Sequence, residues 1–422
     1  MIFGLKASEF TKNAFTLSKG TLISQVLLIV ATPILTRLYT PEDFGELALF
    51  VSLYSILSGI FSLKFELAII LPKEDSESVK IMKLTLMVSL FLSSCFLMIL
   101  ILLKLFSKYP IPLYLIMLPF LTFICAVCSV MQHWFSRKKA FYLAARSGII
   151  NSAVNISICF GLYYIGPFKN GQLLIGYFLG FAIATFYLTY YFIKQNSVLW
   201  NDSKKEILAL FKKYNHFPRY MVPTAMLGIL SFQIIPLLLK QFFSIAEVGY
   251  YSMSSRFLYI PSILVGAAIG EVFRVELAKQ NNEGSNLKPL FLRTLIKMLI
   301  IGCPTFLSLF FLSPYIFKLV LGSNYYISGV FSQYLCFAIF GQFLIQPFNN
   351  VFIVKNRIST YFIFQLVLTI IPILTIISGS IFFNSIKFSL ISFSIISFIV
   401  AIFIVFVAYN YICQETRFSV CK

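Results

Sequence analysis

Apolar residues run along this chain in blocks of about 20, broken by short polar stretches. A helix of that length crosses about 30 Å of hydrocarbon. Twelve such spans are expected, near residues 14–37, 44–71, 83–106, 112–135, 143–165, 171–193, 218–239, 247–270, 291–312, 329–352, 358–382 and 387–412. The breaks between blocks carry helix-stop and helix-start chemistry. In PILTRLYTPEDFGELALF (33–50), Thr40 is a good N-cap, Pro41 suits the first helical position, and Glu42 and Asp43 favour the positive end of a helix dipole. One helix is expected to end near Tyr39 and the next to begin at Thr40. The fold class that follows is all-α: a polytopic membrane protein of about twelve transmembrane helices.

Composition strengthens this reading. Of 422 residues, 59% are hydrophobic and 12% are charged, well beyond ordinary globular composition. The net charge of +19 would suggest nucleic acid in a soluble protein. Here it follows from where the basic residues fall, and no nucleic-acid partner is expected. With the N-terminus inside, inner segments hold roughly 25 Lys and Arg and outer ones roughly seven. The outer set is Arg37, Lys104, Lys108, Lys169, Lys240, Lys318 and Lys387. That bias places both termini in the cytoplasm and the Thr40–Glu42 turn outside. The first apolar run follows a basic tail without an A-x-A site, so it is expected to stay as a span.

Two chemistries are disfavoured. Cys125 and Cys128 form a CxxC with no second thiol pair or loop histidine to complete a zinc site. The other cysteines, Cys95, Cys159, Cys303, Cys336, Cys413 and Cys421, lie mostly in apolar runs and read as small buried residues. His133 and His216 stand alone, no Gly-rich phosphate loop appears, and no catalytic set can be assembled from outer loops. Neither an enzyme nor a cofactor is implied.

The spans divide into an N-terminal six-helix bundle (1–193), a cytoplasmic linker (194–217) and a C-terminal six-helix bundle (218–422). The linker region contains KKEILALFKKYNHF, where Ile207, Phe211 and Tyr214 recur at helical spacing among lysines. It reads either as a short helix on the inner membrane surface or as a plain basic linker. The halves echo each other. Pro33-Ile-Leu-Thr-Arg37 matches Pro236-Leu-Leu-Leu-Lys240, and Phe44-Gly45 matches Val248-Gly249. Lys64-Phe-Glu66-Leu-Ala matches Arg274-Val-Glu276-Leu-Ala at a different spacing. Six spans per half give parallel repeats around a central cavity, an arrangement suited to alternating-access transport.

Ionisable residues inside spans are costly and mark candidate function. Lys19 lies early in span one, Lys64 and Glu66 in the second half of span two, Arg256 in span eight, with Glu271 and Arg274 near its inner end. Two residues apart on a helix, Lys64 and Glu66 face opposite sides and are not expected to pair. Arg256 sits in SMSSRFLYIP, a setting that fits a cavity lining, an interhelical ion pair with Glu66 or a contact with a backbone carbonyl. The three aspartates, Asp43, Asp75 and Asp202, all fall in loops or at helix starts. Lys64 and Arg256 therefore set the sign of the interior, which suits an anion such as a pyrophosphate. Asn151, Asn155, Tyr250, Tyr251, Gln346, Asn349 and Asn350 could hydrogen-bond sugar hydroxyls or join helices.

Residues 20–73, with the LTRLY-P-E-D-FG turn and the K-x-E-L-A-I-x-LP close of span two, closely resemble the start of Wzx-type O-antigen and polysaccharide flippases. These form a branch of the multidrug/oligosaccharidyl-lipid/polysaccharide (MOP) exporter superfamily. FPRYMVPTAMLGILSFQIIPLLL and VGYYSMSSRFLYIPS extend the resemblance into the second half. Where the family often carries an Arg before the Glu, this chain has Lys64, which keeps the charge and loses the bidentate fork. The resemblance implies a cargo, an oligosaccharide repeat unit on undecaprenyl pyrophosphate, turned from the inner to the outer leaflet of a bacterial inner membrane. For such a cargo the candidate substrate-binding residues are the ionisable ones already singled out: Lys64, Arg256, Lys19, Glu66 and Arg274. A polysaccharide polymerase and a chain-length regulator are the implied partners beside the bilayer. The competing readings are a cation-coupled multidrug antiporter of the same superfamily, which buried aspartates would favour, and a glycan polymerase or ligase, which would carry a large outer loop.

Overall fold

A computed structural model of the chain describes residues 9–106, 112–166, 171–195 and 204–419. These residues contain helices and no strand. The helices are α1 (Glu9–Leu38), α2 (Pro41–Phe61), α3 (Asp75–Phe106), α4 (Leu113–Arg137), α5 (Phe141–Ile165), α6 (Gln172–Gln195) and α7 (Lys204–Lys213), then α8 (Val222–Phe242), α9 (Ile245–Leu258), α10 (Ala267–Asn282), α11 (Lys288–Leu321), α12 (Tyr326–Val354), α13 (Ile358–Phe383) and α14 (Ile386–Ser419). Twelve helical segments among the described residues are long and apolar enough to cross a membrane. Each coincides with one of the expected spans. The eighth is longer than expected, because α9 and α10 join through a wide turn at Ser262–Gly266 into one segment, Ile245–Asn282.

The second span is shorter than expected. α2 stops at Phe61, and Leu63 and Lys64 adopt left-handed backbone angles, φ 46° and 58°. A tight 3-10 helix then covers Phe65–Ile70. Nothing in the residue types announces this break, since Leu and Lys rarely adopt that conformation. Ser89 on α3 donates to the Phe61 carbonyl at 3.0 Å, which ties down the end of α2.

The chain forms two compact units. The first holds the residues up to Tyr39 and Leu49–Ile229. In it α5 packs between α1 and α6, and α4 packs against α3 and α6. Its core joins Phe65, Ile69, Trp134, Phe135, Leu143 and Leu188, all buried. The second holds Thr40–Ala48 and the chain from Leu230. There α12 is central, packed by α9, α10, α11 and α14, with Phe348, Val351 and Phe352 fully enclosed.

α7 is a helix, and its apolar face settles the open question about the linker region. Leu210, Tyr214 and Phe217 are buried in the first unit's core, and the Phe211 ring lies 5.4 Å from that of Phe65. Lys80 meets Glu206 at 2.5 Å, and Lys213 donates to Glu77 at 2.6 Å. That hydrogen bond holds the Lys213 ammonium above its ordinary pKa. The stripe of Ile207, Phe211 and Tyr214 packs against the first unit's core.

The internal repeat is visible in cap geometry. Thr40 N–H and hydroxyl donate to Asp43 Oδ2 at 2.9 and 3.0 Å, and Asp43 N–H donates back to Thr40 Oγ1 at 3.4 Å. Ser244 and Glu247 repeat the motif, at 2.8, 2.9 and 3.3 Å. Within the second unit, these two helix starts cross backbone to backbone. A Cβ added at Gly45 would lie 2.2 Å from the Ile245 carbonyl oxygen, and one at Gly249 would lie 1.8 Å from that of Pro41. Pro41 and Gly45 correspond to Ile245 and Gly249, so the contact is reciprocal, as a local twofold requires. Only glycine permits such an approach.

Candidate functional site

In the first unit the broken end of span two creates a charged pair. The left-handed turn at Leu63 and Lys64 swings the Lys64 side chain round to Glu66, and Nζ lies 3.6 Å from Oε1. The expectation that these residues face apart assumed a continuous helix. The helix ends before them, and the pair forms. Glu66 is nearly enclosed at 5% side-chain exposure, while Lys64 retains 21%. At 3.6 Å the contact is Coulombic and longer than a hydrogen bond. Glu66 Oε2 is buried and has no hydrogen-bond partner among the described residues. An unsatisfied buried carboxylate oxygen costs about 1–3 kcal/mol or more. The pair therefore has spare capacity: Lys64 has donors to offer an anion, and Glu66 an acceptor oxygen to offer a hydroxyl.

Arg137 holds this segment in shape. Its guanidinium donates to the carbonyls of Ile69, Ile70, Pro72 and Lys73 at 3.4, 3.3, 2.5 and 3.1 Å. It also donates to Asp75 Oδ1 at 3.0 Å, and Lys138 reaches the other oxygen of the same carboxylate. The fork thus satisfies the end of the 3-10 helix and the start of α3 together. Sequence reading assigned Arg137 to the inner charge count alone. Its position one residue before the Lys138-Lys139 turn gives no hint of this role.

In the second unit Arg256 lies half-buried in the last turn of α9. Beyond it the eighth span is interrupted by Pro261 and the wide turn. Such interruptions free backbone groups and are common at functional sites. Polar side chains gather there. Tyr259 donates to Gln342 Oε1 at 2.8 Å, the Ser262 hydroxyl is buried without a partner among the described residues, and Gly266 abuts Gln346. Gln342 and Gln346 lie four apart on α12 and share a face. Tyr259, Ser262 and Gln342 were missed in the sequence; the Tyr-Ile-Pro at 259–261 was the available signal. Ser254 anchors α9 to α12 by donating to the Ser328 carbonyl at 2.5 Å.

The remaining candidates fall elsewhere. The side chain of Lys19 lies outside the described residues. Arg274 pairs with Glu271 at 2.5 Å, both more than half exposed. It stands 18 residues beyond Arg256, about 27 Å along a helix. Asn151 and Asn155 sit at the α5–α6 seam, against Gly180 and Gly176. Tyr251 is buried, and Asn350 donates to the Pro347 carbonyl. No group of three or more metal-ligating side chains occurs among the described residues. Cys125 bonds the Tyr54 hydroxyl, and Cys128 meets Gln132.

A family model described as "Polysaccharide biosynthesis protein" matches residues 34–329. No curated protein matches the sequence. Among solved structures, a multidrug resistance MATE family transporter of the MOP superfamily, in an inward-facing conformation, aligns with TM-score 0.71 at 14% identity, covering 93% of this chain and 96% of that one. The lipid II flippase MurJ, in an inward closed conformation, aligns with TM-score 0.71 at 15% identity, covering 96% and 90%. A MOP superfamily transporter from Pyrococcus furiosus, described as having a binding pocket of reverse polarity, aligns with TM-score 0.53 at 15% identity, covering 96% of each chain. At these identities the shared property is the fold, which is that of transporters.

Proposed function

The chain belongs to the polysaccharide biosynthesis protein family, and from that premise we propose that it is a flippase for lipid-linked glycans. The cargo is an oligosaccharide repeat unit on undecaprenyl pyrophosphate, of O-antigen or capsular type, carried from the inner to the outer leaflet of the bacterial cytoplasmic membrane. The observation that carries the reading is the pairing of a polysaccharide family with a twelve-span transporter fold. A sugar head group and a pyrophosphate cannot cross hydrocarbon unaided, so a pathway that builds glycan on lipid inside and uses it outside needs such a protein.

The ion-bearing residues fit that cargo. Lys64 and Arg256 are the proposed pyrophosphate contacts, engaged at successive stages of alternating access. Glu66 balances Lys64, and Lys19 and Arg274 meet the anion at entry. The halves 1–193 and 218–422 are joined in sequence by 194–217, whose α7 is packed into the first half and moves with it, with both termini in the cytoplasm. A polymerase and a chain-length regulator then receive the product. A second reading, a cation-coupled antiporter of the same superfamily, draws on buried Glu66 with its free oxygen. Deleting the protein separates the two. The flippase reading predicts repeat units trapped on the inner leaflet and loss of surface polysaccharide. Normal surface polymer in a deleted strain with no second flippase would refute it.

A further inference from the structure

α10 and α11 form a helical hairpin turned through Gly284, whose φ is +66°. Between them opens a cavity of about 770 Å³, within the range of small-molecule sites. It lies within the second unit, at the end of the hairpin that carries Lys279, Lys288, Arg293 and Lys297. Its walls are divided by charge. α10 and the turn contribute Glu276, Gln280 and Glu283; α11 contributes Arg293 and Lys297, one helical turn apart. Opposite charges that line one cavity ordinarily close on each other. Here no ion pair among the described residues joins them; Glu276 instead accepts from Gln280 at 2.7 Å. The two cations and two carboxylates stand apart across an open space.

The neighbouring surface indicates what enters it. Leu292, Ile296, Leu299 and Ile300 continue up α11 beside the two cations, all exposed and on one helical face. A ligand that matches this surface has a phosphate, a cationic group a few bonds away, and a long apolar body. We propose that the hairpin binds a phospholipid with a phosphoethanolamine head group. Arg293 and Lys297 take the phosphate, Glu276 and Glu283 take the ammonium, and the acyl chains lie along α11. A purely anionic head group would satisfy the cations and leave both carboxylates facing a negative charge. Its lining includes neither Lys64 nor Arg256, and the proposal stands or falls independently of the cargo.

Native mass spectrometry of the full chain, in detergent supplied with equal amounts of dioleoyl phosphatidylethanolamine and dioleoyl phosphatidylglycerol, tests the proposal. Wild type should retain the ethanolamine lipid in preference. Arg293→Gln with Lys297→Gln should lower that retention about tenfold, at an unchanged melting temperature. Glu276→Gln with Glu283→Gln should abolish the preference while still retaining lipid. If the glutamine pair at 293 and 297 proves unstable, Arg293→Lys should fold and show a smaller loss. Soluble phosphoethanolamine in equal amount should not displace the lipid. Undiminished ethanolamine-lipid retention by the Arg293 and Lys297 variants would overturn the proposal. So would the lack of a preference in wild type, or displacement by the soluble head group.

Discussion

Lys64, Glu66 and Arg256 place the transport proposal on individual side chains. A desolvated charge-assisted hydrogen bond to phosphate is worth on the order of 1.5–3 kcal/mol. Arg256→Ala is therefore expected to cut surface polysaccharide about tenfold or more at a normal membrane protein level. Arg256→Lys should keep part of the activity, and Lys64→Arg should be tolerated best. Glu66→Gln removes the partner of Lys64 and keeps its own shape; if Glu66 only balances that cation, protein level should fall more than transport per molecule. Equal polysaccharide per molecule for Arg256→Ala and wild type would leave Arg256 a structural residue. The identities of these residues were legible, because charges stand out in apolar runs. Their geometry was not. The pairing of Lys64 with Glu66 depends on left-handed angles at a Leu and a Lys, and no Gly or Asn marks that turn.

The helical elements were legible where length and capping act alone. All twelve spans follow from apolar length, and the start of α2 follows from Thr40; the matching cap at Ser244 emerged only in the structure. α7 was legible as a period but not as a contact, since an amphipathic face fits a bilayer or a protein core equally well. Phe211→Ala tests the contact. It removes a half-buried ring from Phe65, and the purified protein should lose about 1–3 kcal/mol of stability, seen as a lower melting temperature. Phe211→Leu should restore most of it, and a wild-type melting curve for Phe211→Ala would place that face away from the core. The glycine crossing makes a second test. Gly249→Val puts side-chain atoms into the Pro41 carbonyl and should cost on the order of 1–3 kcal/mol. An unchanged melting temperature would show that α2 and α9 do not meet at these glycines in the native protein.

For the whole molecule, sequence and structure converge on a transporter fold with an internal repeat. The repeat was faint in residue identity and plain in cap geometry, because a cap constrains four positions while most of a span only has to be apolar. The central claim is that this fold moves a lipid-linked glycan across the bilayer. The most direct measurement uses proteoliposomes containing the purified chain and an undecaprenyl-pyrophosphate oligosaccharide loaded in both leaflets. A membrane-impermeant glycosidase added outside digests only the sugar exposed there. With wild-type protein the digestible fraction should rise from about half toward completion as inner-leaflet cargo is carried out, and with Arg256→Ala the rise should be about tenfold slower. A digestible fraction that stays at half with the wild-type protein, as in protein-free vesicles, would contradict the assignment.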